Sequence, residues 1–279
     1  MDVVPVATWE EFQTLVDDLY GAREVWKGAS RLSAPNVSTL LFRGHGDSRW
    51  KLETTLERDA PQWQRVLDYH EAISACKYQI ETLTDRVWDL PGRQEFRERV
   101  AAGDHASLQL VLGLGLAGYE YLVYLRHHGF PSPLLDWSAS PYIAAFFAFR
   151  QPPPSALHVA IYAYVERLGG PKMAEEGVPA IDGCGPSVRS HRRHVLQQCE
   201  YTVCTVYRNS EWTYICHEDA FGKSTEAQDM VRKFVLPVSE RLKVLGLLDR
   251  YNLNAFSLFG GEDSLMHTVS VREILRKWR

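Results

Sequence analysis

The sequence of 279 residues contains no apolar run near the roughly 18 residues that a membrane-spanning helix needs. Its first residues, MDVVPVATWEEF, show neither the basic start nor the apolar stretch of a secretory signal peptide. Only five cysteines occur, an odd number without CxxC spacing, which argues against a disulfide framework and against a zinc ribbon. We therefore expect a cytoplasmic protein that does not act at a membrane.

The sequence also lacks the short signatures of several enzyme classes, since it has no HExxH, no GxSxG and no P-loop. Three of the cysteines with His191, His194 and His217 are an alternative metal cluster, but ordinary buried thiols are favoured and we expect no metal. The formal charge of −4 argues against a nucleic-acid coat over the whole surface. It leaves room for a local basic patch.

What the sequence does contain is enough apolar material for a full core, because 45% of its residues are hydrophobic. Apolar spacing predicts a helix from Thr8, with Glu11 completing a capping box, and a second over QWQRVLDYHEAISACKYQIETLTDRVW. A short apolar strand ending at Arg43 lies between them. A third long helix is predicted from His105 to Gly129, where the glycine suits a C-terminal cap.

The periodicity changes after YIAAFFAFR, a predicted buried helix, and the helix-breaking QPPPSA. Four later segments have the β-branched and aromatic content of strands: LHVAIYAYVE, EYTVCTVYR, WTYICHE and MVRKFVLP. A long loop from Gly169 to Pro186 and two C-terminal helices, SERLKVLGLLDRY and EDSLMHTVSVREILRKW, complete the pattern. It predicts one α+β domain over residues 1–279, in which the early strand joins the late sheet.

Two places concentrate groups that suit an anionic ligand. Arg43 ends the early strand and is followed by Gly44, which would let a ligand approach the backbone beside a planar guanidinium. The alternative is an arginine that is solvated or paired with a carboxylate. A second group gathers around one turn and consists of His127, His128, Asp136, Trp137, Ser138 and Ser140.

The second group also has a structural interpretation, because Asp136 or Ser138 is well placed to cap the helix that begins near Pro141. His128 either bonds a ligand or locks the following turn, and the structural role is slightly favoured. Capping accounts for one serine but not for the density of polar and aromatic groups.

These stretches resemble a known family. FRGHGDSRWKLETTLER and RHHGFPSPLLDWSASPYIAAFFAF resemble the two signature segments of the FRG-domain family, and HRRHVLQQCEYTV and NAFSLFGGEDSLMHTV resemble weaker later ones. The resemblance runs from Leu40 to about Val269, with its motifs at residues 40–59, 126–150 and 189–207. Residues 1–37 are expected to form an N-terminal helical extension outside it.

The layout of this family looks like that of ADP-ribosyltransferases, which implies a split mixed and antiparallel β-sheet core with flanking helices. In the arginine–serine–glutamate class of those enzymes, an early arginine, a serine segment and a (Gln/Glu)-x-Glu motif hold NAD. Arg43, Ser138 and the stretch from Gln198 to Glu200 occur here in that order. Cys199 and Glu200 depart from the FRG pattern, which usually has glycine and an apolar residue there.

The resemblance implies an NAD-dependent ADP-ribosyltransferase of the toxin or phage-defence type, with NAD as substrate. Glu200 would stabilise the charge that develops on the ribose, with Arg43 and Gln198 as further catalytic candidates. Cofactor binding would involve Arg43, Gly44, His128, Asp136, Trp137 and Ser138. Asp136 is the alternative carboxylate, followed by Glu262. An NAD glycohydrolase and a non-catalytic nucleotide sensor are alternative functions.

The loop before the Gln-x-Glu motif contains the strongest basic cluster, with Arg189, Arg192 and Arg193. In the transferase superfamily this loop faces the acceptor, and clustered arginines suit phosphates. We expect a nucleic-acid acceptor, RNA more than DNA, with a protein acceptor or a solvated polar loop as alternatives. A protein antitoxin is a further expected partner.

Overall fold

The computed structural model describes residues 1–29, 37–102, 117–169, 176–221 and 228–275. Within these ranges eight strands form one open sheet in the order β1-β8-β4-β2-β3-β6-β5, and β7 pairs with β6. The strands are β1 (Asp2–Pro5), β2 (Leu41–His45), β3 (Leu135–Ser138), β4 (His158–Arg167), β5 (Ala180–Gly183), β6 (Cys199–Arg208), β7 (Glu211–Tyr214) and β8 (Gln228–Pro237). Only β1 and β8 pair in parallel, so the sheet is mixed.

Helices surround this sheet, and several short ones connect its strands. The helices are α1 (Trp9–Ala29), α2 (Thr55–Asp59), α3 (Val66–Thr84), α4 (Arg93–Ala102), α5 (Ala117–His127), α6 (Pro141–Arg150), α7 (Arg192–Leu196), α8 (His217–Phe221), α9 (Arg241–Arg250), α10 (Ala255–Phe259) and α11 (Glu262–Ser270). Short 3-10 turns occupy Pro61–Trp63 and Val238–Glu240, and a π-helical turn, Val271–Leu275, continues α11. In the described part of the chain no helix is both long and apolar enough to cross a membrane.

The prediction of a mixed helix-and-strand fold is confirmed. The early strand, β2, pairs along its whole length with β4, so it does join the sheet built from the second half of the chain. It continues through Gly44 to His45, so the prediction that it ends at Arg43 was wrong. The N-terminal segment is also part of the core, because Trp9 and Phe12 of α1 are buried and Phe12 packs against Phe234 of β8. Residues predicted as an extension therefore pack on the sheet itself.

Some sequence predictions were wrong in detail. The segment FPSPLLDWSASP, predicted as turns, contains β3, and the predicted loop from Gly169 to Pro186 contains β5. The predicted strand WTYICHE ends at Tyr214 because α8 begins at His217. Both missed strands have four residues, too few for alternation to be recognisable, and they are held by their neighbours in the sheet.

The third predicted helix is described only in its second half. Helix α5 ends at His127, and Gly129 has a φ of 81°, the left-handed conformation expected of a glycine that ends a helix. The first part of that prediction, from residue 105 to residue 116, lies outside the described residues.

Candidate functional site

The candidate site lies where β2 and β3 meet. These neighbours share one residue pair, Phe42 with Ser138, whereas β2 pairs fully with β4 and β3 pairs fully with β6. A cavity of about 270 Å³ opens at this junction, between the strand ends and helix α6. The short pairing between β2 and β3 thus leaves room in the middle of the sheet.

The cavity is lined by aromatic, polar and charged side chains: Phe42, Arg43, Gly44, Gly46, Trp50, Asp136, Trp137, Ser138, Ala144, Phe147, Arg150, Gln151, Gln197 and Cys199. Five of the residues predicted to bind a cofactor are among them, namely Arg43, Gly44, Asp136, Trp137 and Ser138. His128 is not, because it is exposed at the end of α5 and packs on Tyr124, with ring centroids 4.3 Å apart.

Arg43 bridges the two strands. Its Nη1 donates to the main-chain oxygen of Asp136 at 2.6 Å and to the Asp136 carboxylate at 2.8 Å, while its Nε donates to His45 at 3.1 Å. Burial, followed by the nearby Arg43 charge, lowers the pKa of His45 to about 3, so this imidazole is neutral and accepts the bond. Within the described ranges, Nη2 of Arg43 has no protein acceptor, and half of the guanidinium remains available to a ligand.

Asp136 is shared between two guanidiniums. Its Oδ1 accepts from Arg43 and also from Arg126 of α5, at 2.5 Å, while 43% of the side chain remains exposed. Its enclosed position alone would raise the pKa of this carboxyl group, but Arg126 and Arg43 outweigh that effect and hold the pKa well below its ordinary range. We call these three residues, Arg43, Arg126 and Asp136, the seam cluster.

The sequence analysis suggested that Gly44 lets a ligand approach the backbone, but the structure shows that the glycine is needed for packing against α6. A side chain at Gly44 would overlap the carbonyl oxygen of Ala144 and would stand 2.6 Å from the amide nitrogen of Ala148, both in the backbone of α6. The glycine therefore lets the helix lie against β2. It also lines the cavity, but the space above its Cα is already occupied by the helix.

Ser138 and Ser140 have different structural roles, and the structure shows which residue caps α6. Ser140, rather than Asp136 or Ser138, caps α6, because its hydroxyl accepts from the amide of Ile143. The Ser138 hydroxyl donates to the main-chain oxygen of Gln197 at 2.8 Å and accepts from the amide of Ser140. Ser138 thus joins β3 to the turn before β6 at the cavity wall.

Glu200 lies beside the cavity rather than on its lining. It is directly opposite Trp137 in the β3–β6 ladder and follows Cys199, and both of those residues do line the cavity. Burial, and then the nearby Glu166, raise the pKa of Glu200. Gln198, which precedes the strand, has a φ of 48° and an exposed side chain, and its main-chain oxygen accepts from Ala139.

The three arginines of the predicted acceptor loop separate into different surroundings. Arg189 is exposed, and its amide donates to Glu120 of α5. Arg192 is exposed on α7, and Arg193 packs on the ring of Phe259 with its Cζ 5.5 Å from the ring centroid. Phe259 also contacts Phe147, a lining residue of the cavity, with ring centroids 5.8 Å apart.

Sequence reasoning missed several lining residues, of which Arg150 is the most informative. It is the last residue of the predicted helix YIAAFFAFR, where a basic side chain is favoured by the helix dipole. The sequence therefore gave no reason to assign Arg150 to a ligand site. Trp50 and Phe147 carry the aromatic surface of the cavity, and Gln197 comes from the turn before β6. The signal available for Trp50, Phe147 and Gln197 was their place in the segments that resemble the FRG-domain family.

The histidines and cysteines near this region are engaged in packing and hydrogen bonds. The Tyr201 hydroxyl bonds to His127 at 2.8 Å, and His194 donates to the main-chain oxygen of Pro186. Burial raises the pKa of the Cys199 thiol to about 12. Among the described residues no group of three His, Cys, Asp or Glu side chains is arranged to hold a metal ion.

Residues 38–156 match the family model of the FRG domain. The chain carries an FRG domain. The matched segment contains β2, β3 and α6, and every residue that lines the cavity except Gln197 and Cys199. No curated protein and no solved structure matches the chain. The FRG motif residues therefore converge on one cavity, while Glu200 and the basic loop lie beyond the matched segment.

Proposed function

We propose that this FRG-domain protein binds NAD at the cavity between β2 and β3 and transfers its ADP-ribosyl group to an acceptor. The observation that carries the proposal is the convergence of Arg43, Trp137 and Ser138 on one cavity. Trp50 and Phe147 offer flat apolar surface to a heterocycle, and the free Nη2 of Arg43 offers donors to a ribose or a phosphate.

In this reaction the bond between nicotinamide and C1′ of the ribose breaks, and a nucleophilic atom of the acceptor bonds to C1′. Nicotinamide leaves with the bonding electron pair, and the acceptor loses a proton. Positive charge develops on the sugar, so a nearby carboxylate that is not already neutralised lowers the barrier. The protein contributes mainly by positioning the two reactants.

The surroundings of the two carboxylates favour Glu200 for this role. Asp136 lies between two guanidiniums, so a cationic sugar placed beside it would also meet their positive charge. No hydrogen bond or ion pair to the Glu200 carboxylate is found within the described ranges, and burial leaves that carboxylate partly desolvated. A nicotinamide ribose that reaches past Trp137 would bring C1′ towards Glu200.

Incubation with NAD labelled in its adenylate half tests the reaction. We expect label to be transferred to a macromolecule by the wild type, and Glu200→Gln to lower turnover about 100-fold while NAD affinity stays within twofold. Glu98→Gln, on the exposed side of α4, is the matched control. Free ADP-ribose as the sole product would indicate a glycohydrolase, and binding without turnover would indicate a sensor.

An RNA acceptor remains part of the proposal, with a protein side chain as the alternative. Its support is the exposure of Arg189 and Arg192 beside the turn before β6. Replacing Arg189 and Arg192 by glutamine should flatten the salt dependence of RNA binding by about one unit of slope per lost phosphate contact. Label confined to a protease-sensitive, nuclease-resistant fraction would exclude RNA.

The cellular consequence proposed is growth arrest by a cytoplasmic toxin or defence effector that a protein antitoxin neutralises. Expression of the wild type should then stop growth, and Glu200→Gln should relieve the arrest at the same protein level. A harmless wild type would remove the toxin role and leave the enzymatic proposal standing.

A further inference from the structure

Two guanidiniums share one aromatic ring next to the cavity. The Cζ of Arg150 is 4.5 Å from the centroid of Phe259, and the Cζ of Arg193 is 5.5 Å from the same centroid. A ring face attracts a cation by about 0.5 to 1 kcal/mol at an exposed site, so Phe259 partly offsets the repulsion between the two arginines. We call Arg150, Arg193 and Phe259 the rim cluster.

The rim cluster has no counter-charge within the described part of the chain, where neither Arg150 nor Arg193 forms an ion pair. The Nε of Arg150 is buried and has no hydrogen-bond acceptor there. Burial, and then the charge of Arg193, lower the pKa of Arg150. Arg150 lines the cavity, and its terminal nitrogens also have no protein acceptor in the described ranges, so an anion that accepted from them would bind here favourably.

The positions of these groups are set by the surrounding structure. Arg241 of α9 donates to the main-chain oxygens of Phe149 and Arg150 and so anchors the end of α6. Asn254 begins α10 with a capping box, and this short helix places Phe259 at its end. Arg193 is fixed as the second residue of α7. The two guanidiniums therefore come from different helices that the fold holds together.

The size of the cavity indicates what would reach this cluster. At about 270 Å³, it lies just below the usual range of pockets that enclose a small molecule, roughly 300 to 1,000 Å³. It can enclose one nucleoside half of a dinucleotide, and the rest must extend out of it. Arg150 lines the cavity and Arg193 does not, but both guanidiniums contact the ring of Phe259 beside it.

We propose that Arg150 and Arg193 form a diphosphate site at the edge of the cavity, binding the linker of a dinucleotide whose one nucleoside half occupies the cavity. This rests on the proposed function, because NAD is the dinucleotide. Paired guanidiniums bind phosphate oxygens with charge-assisted hydrogen bonds, and the terminal nitrogens of Arg150, which have no protein acceptor in the described ranges, would donate to a phosphate oxygen. Arg43, whose Nη1 is held by Asp136, is left to contact the enclosed nucleoside.

Calorimetry with NAD, with inorganic pyrophosphate and with adenosine, an uncharged nucleoside, tests the site. We expect Arg150→Gln to weaken NAD and pyrophosphate about tenfold or more, the scale of one charge-assisted hydrogen bond. Arg193→Gln should also weaken the binding of NAD and pyrophosphate. The affinity for adenosine should stay within twofold of the wild type in both variants. Raising the salt concentration should weaken binding of NAD but not of the nucleoside.

The controls separate this site from the enzyme proposal. Arg99→Gln, which removes an exposed guanidinium paired with Glu95 on α4, should leave every affinity unchanged. If Arg150→Gln and Arg193→Gln bind NAD as the wild type does, the diphosphate site is wrong while NAD binding stands. If the wild type binds pyrophosphate through these arginines but not NAD, the site stands and the dinucleotide assignment fails. Absence of binding to both ligands overturns the site.

Discussion

The seam cluster and the rim cluster are both rich in arginine, yet they are built in opposite ways. In the seam cluster, Asp136 lies between two guanidiniums and joins β3 to β2 and α5. In the rim cluster, Arg150 and Arg193 face an aromatic ring instead of a carboxylate. Both clusters have a member that lines the same cavity, so the difference lies in the partners rather than in the location.

This difference separates charges that hold the fold from charges that are available to a ligand. An arginine whose donors are used by a carboxylate stabilises the native state, and removing it takes charge-assisted hydrogen bonds away from that carboxylate. An arginine without a carboxylate partner contributes little to folding and can gain when an anion binds. Substitutions at the seam should therefore lower stability, with Arg43 also losing its contact with the ligand, whereas substitutions at the rim should weaken binding and leave stability nearly unchanged.

The largest effect on stability is expected at Asp136. Asp136→Asn should lower the free energy of unfolding by about 2 to 4 kcal/mol, because it leaves Arg43 and Arg126 without their shared carboxylate, while the 43% exposure of Asp136 lets water reduce the loss. Urea denaturation at pH 7 measures this, with Asp59→Asn, from an exposed pair with Arg58, as a control that should change it by less than about 1 kcal/mol.

The pH dependence of the free energy of unfolding is a second test of the seam cluster. Because the folded-state pKa of Asp136 is below its unfolded value, its contribution is full above about pH 4 and is lost as the pH falls further. The wild type should therefore lose more stability than Asp136→Asn between pH 4 and pH 2. Parallel curves for the two proteins would contradict the role of the seam cluster.

The next effect compares two arginines that line one cavity. Arg43→Gln should lower the free energy of unfolding by about 1.5 to 3 kcal/mol, because it removes charge-assisted bonds to Asp136. Arg150→Gln should change it by less than about 1 kcal/mol, because only the contact with Phe259 is lost. Thermal and urea unfolding of both variants test this. Equal losses of unfolding free energy in the two variants would contradict the different roles of the seam cluster and the rim cluster.

The two glycines Gly44 and Gly21 make a matched pair for the packing of α6 on β2. Gly44→Ala should destabilise the protein by about 1 to 3 kcal/mol or more, since the added methyl group meets backbone atoms of α6. Gly21→Ala, in the exposed middle of α1 with open space around it, should stabilise it by about 0.5 to 1 kcal/mol. A neutral Gly44→Ala would mean that α6 moves away at little cost.

The smallest effect on stability is expected at Glu200, although its effect on turnover is large. The folded-state pKa of Glu200 is raised, so its ionised form is disfavoured by folding, and its presence lowers stability as the pH rises above about 4. Glu200→Gln should therefore be slightly more stable than the wild type at pH 7, and equal to it at pH 3. A less stable variant at pH 7 would show that Glu200 has a stabilising partner.

The local sequence was a good guide to some elements and a poor guide to others. The apolar, β-branched stretches of β4, β6 and β8 were predicted, and so was the Ala- and Phe-rich helix α6. Strands β3 and β5 were missed because four residues carry no readable alternation and their pairing partners are distant in sequence. The Arg43 to Asp136 pair spans 93 residues, so no local pattern predicts it.

By itself, the sequence determined the FRG motifs, the existence of a strand that contains Arg43 and the mixed composition of helices and strands, because these depend on local residue types and their order. Only the tertiary structure decided which arginines are paired. Asp136 engages Arg43 and Arg126 because β2, β3 and α5 meet there, and Arg150 meets Arg193 because α6, α7 and α10 converge on Phe259. Charge pairing depends on distances of a few ångströms between residues far apart in the chain, and these distances are set only when the elements pack.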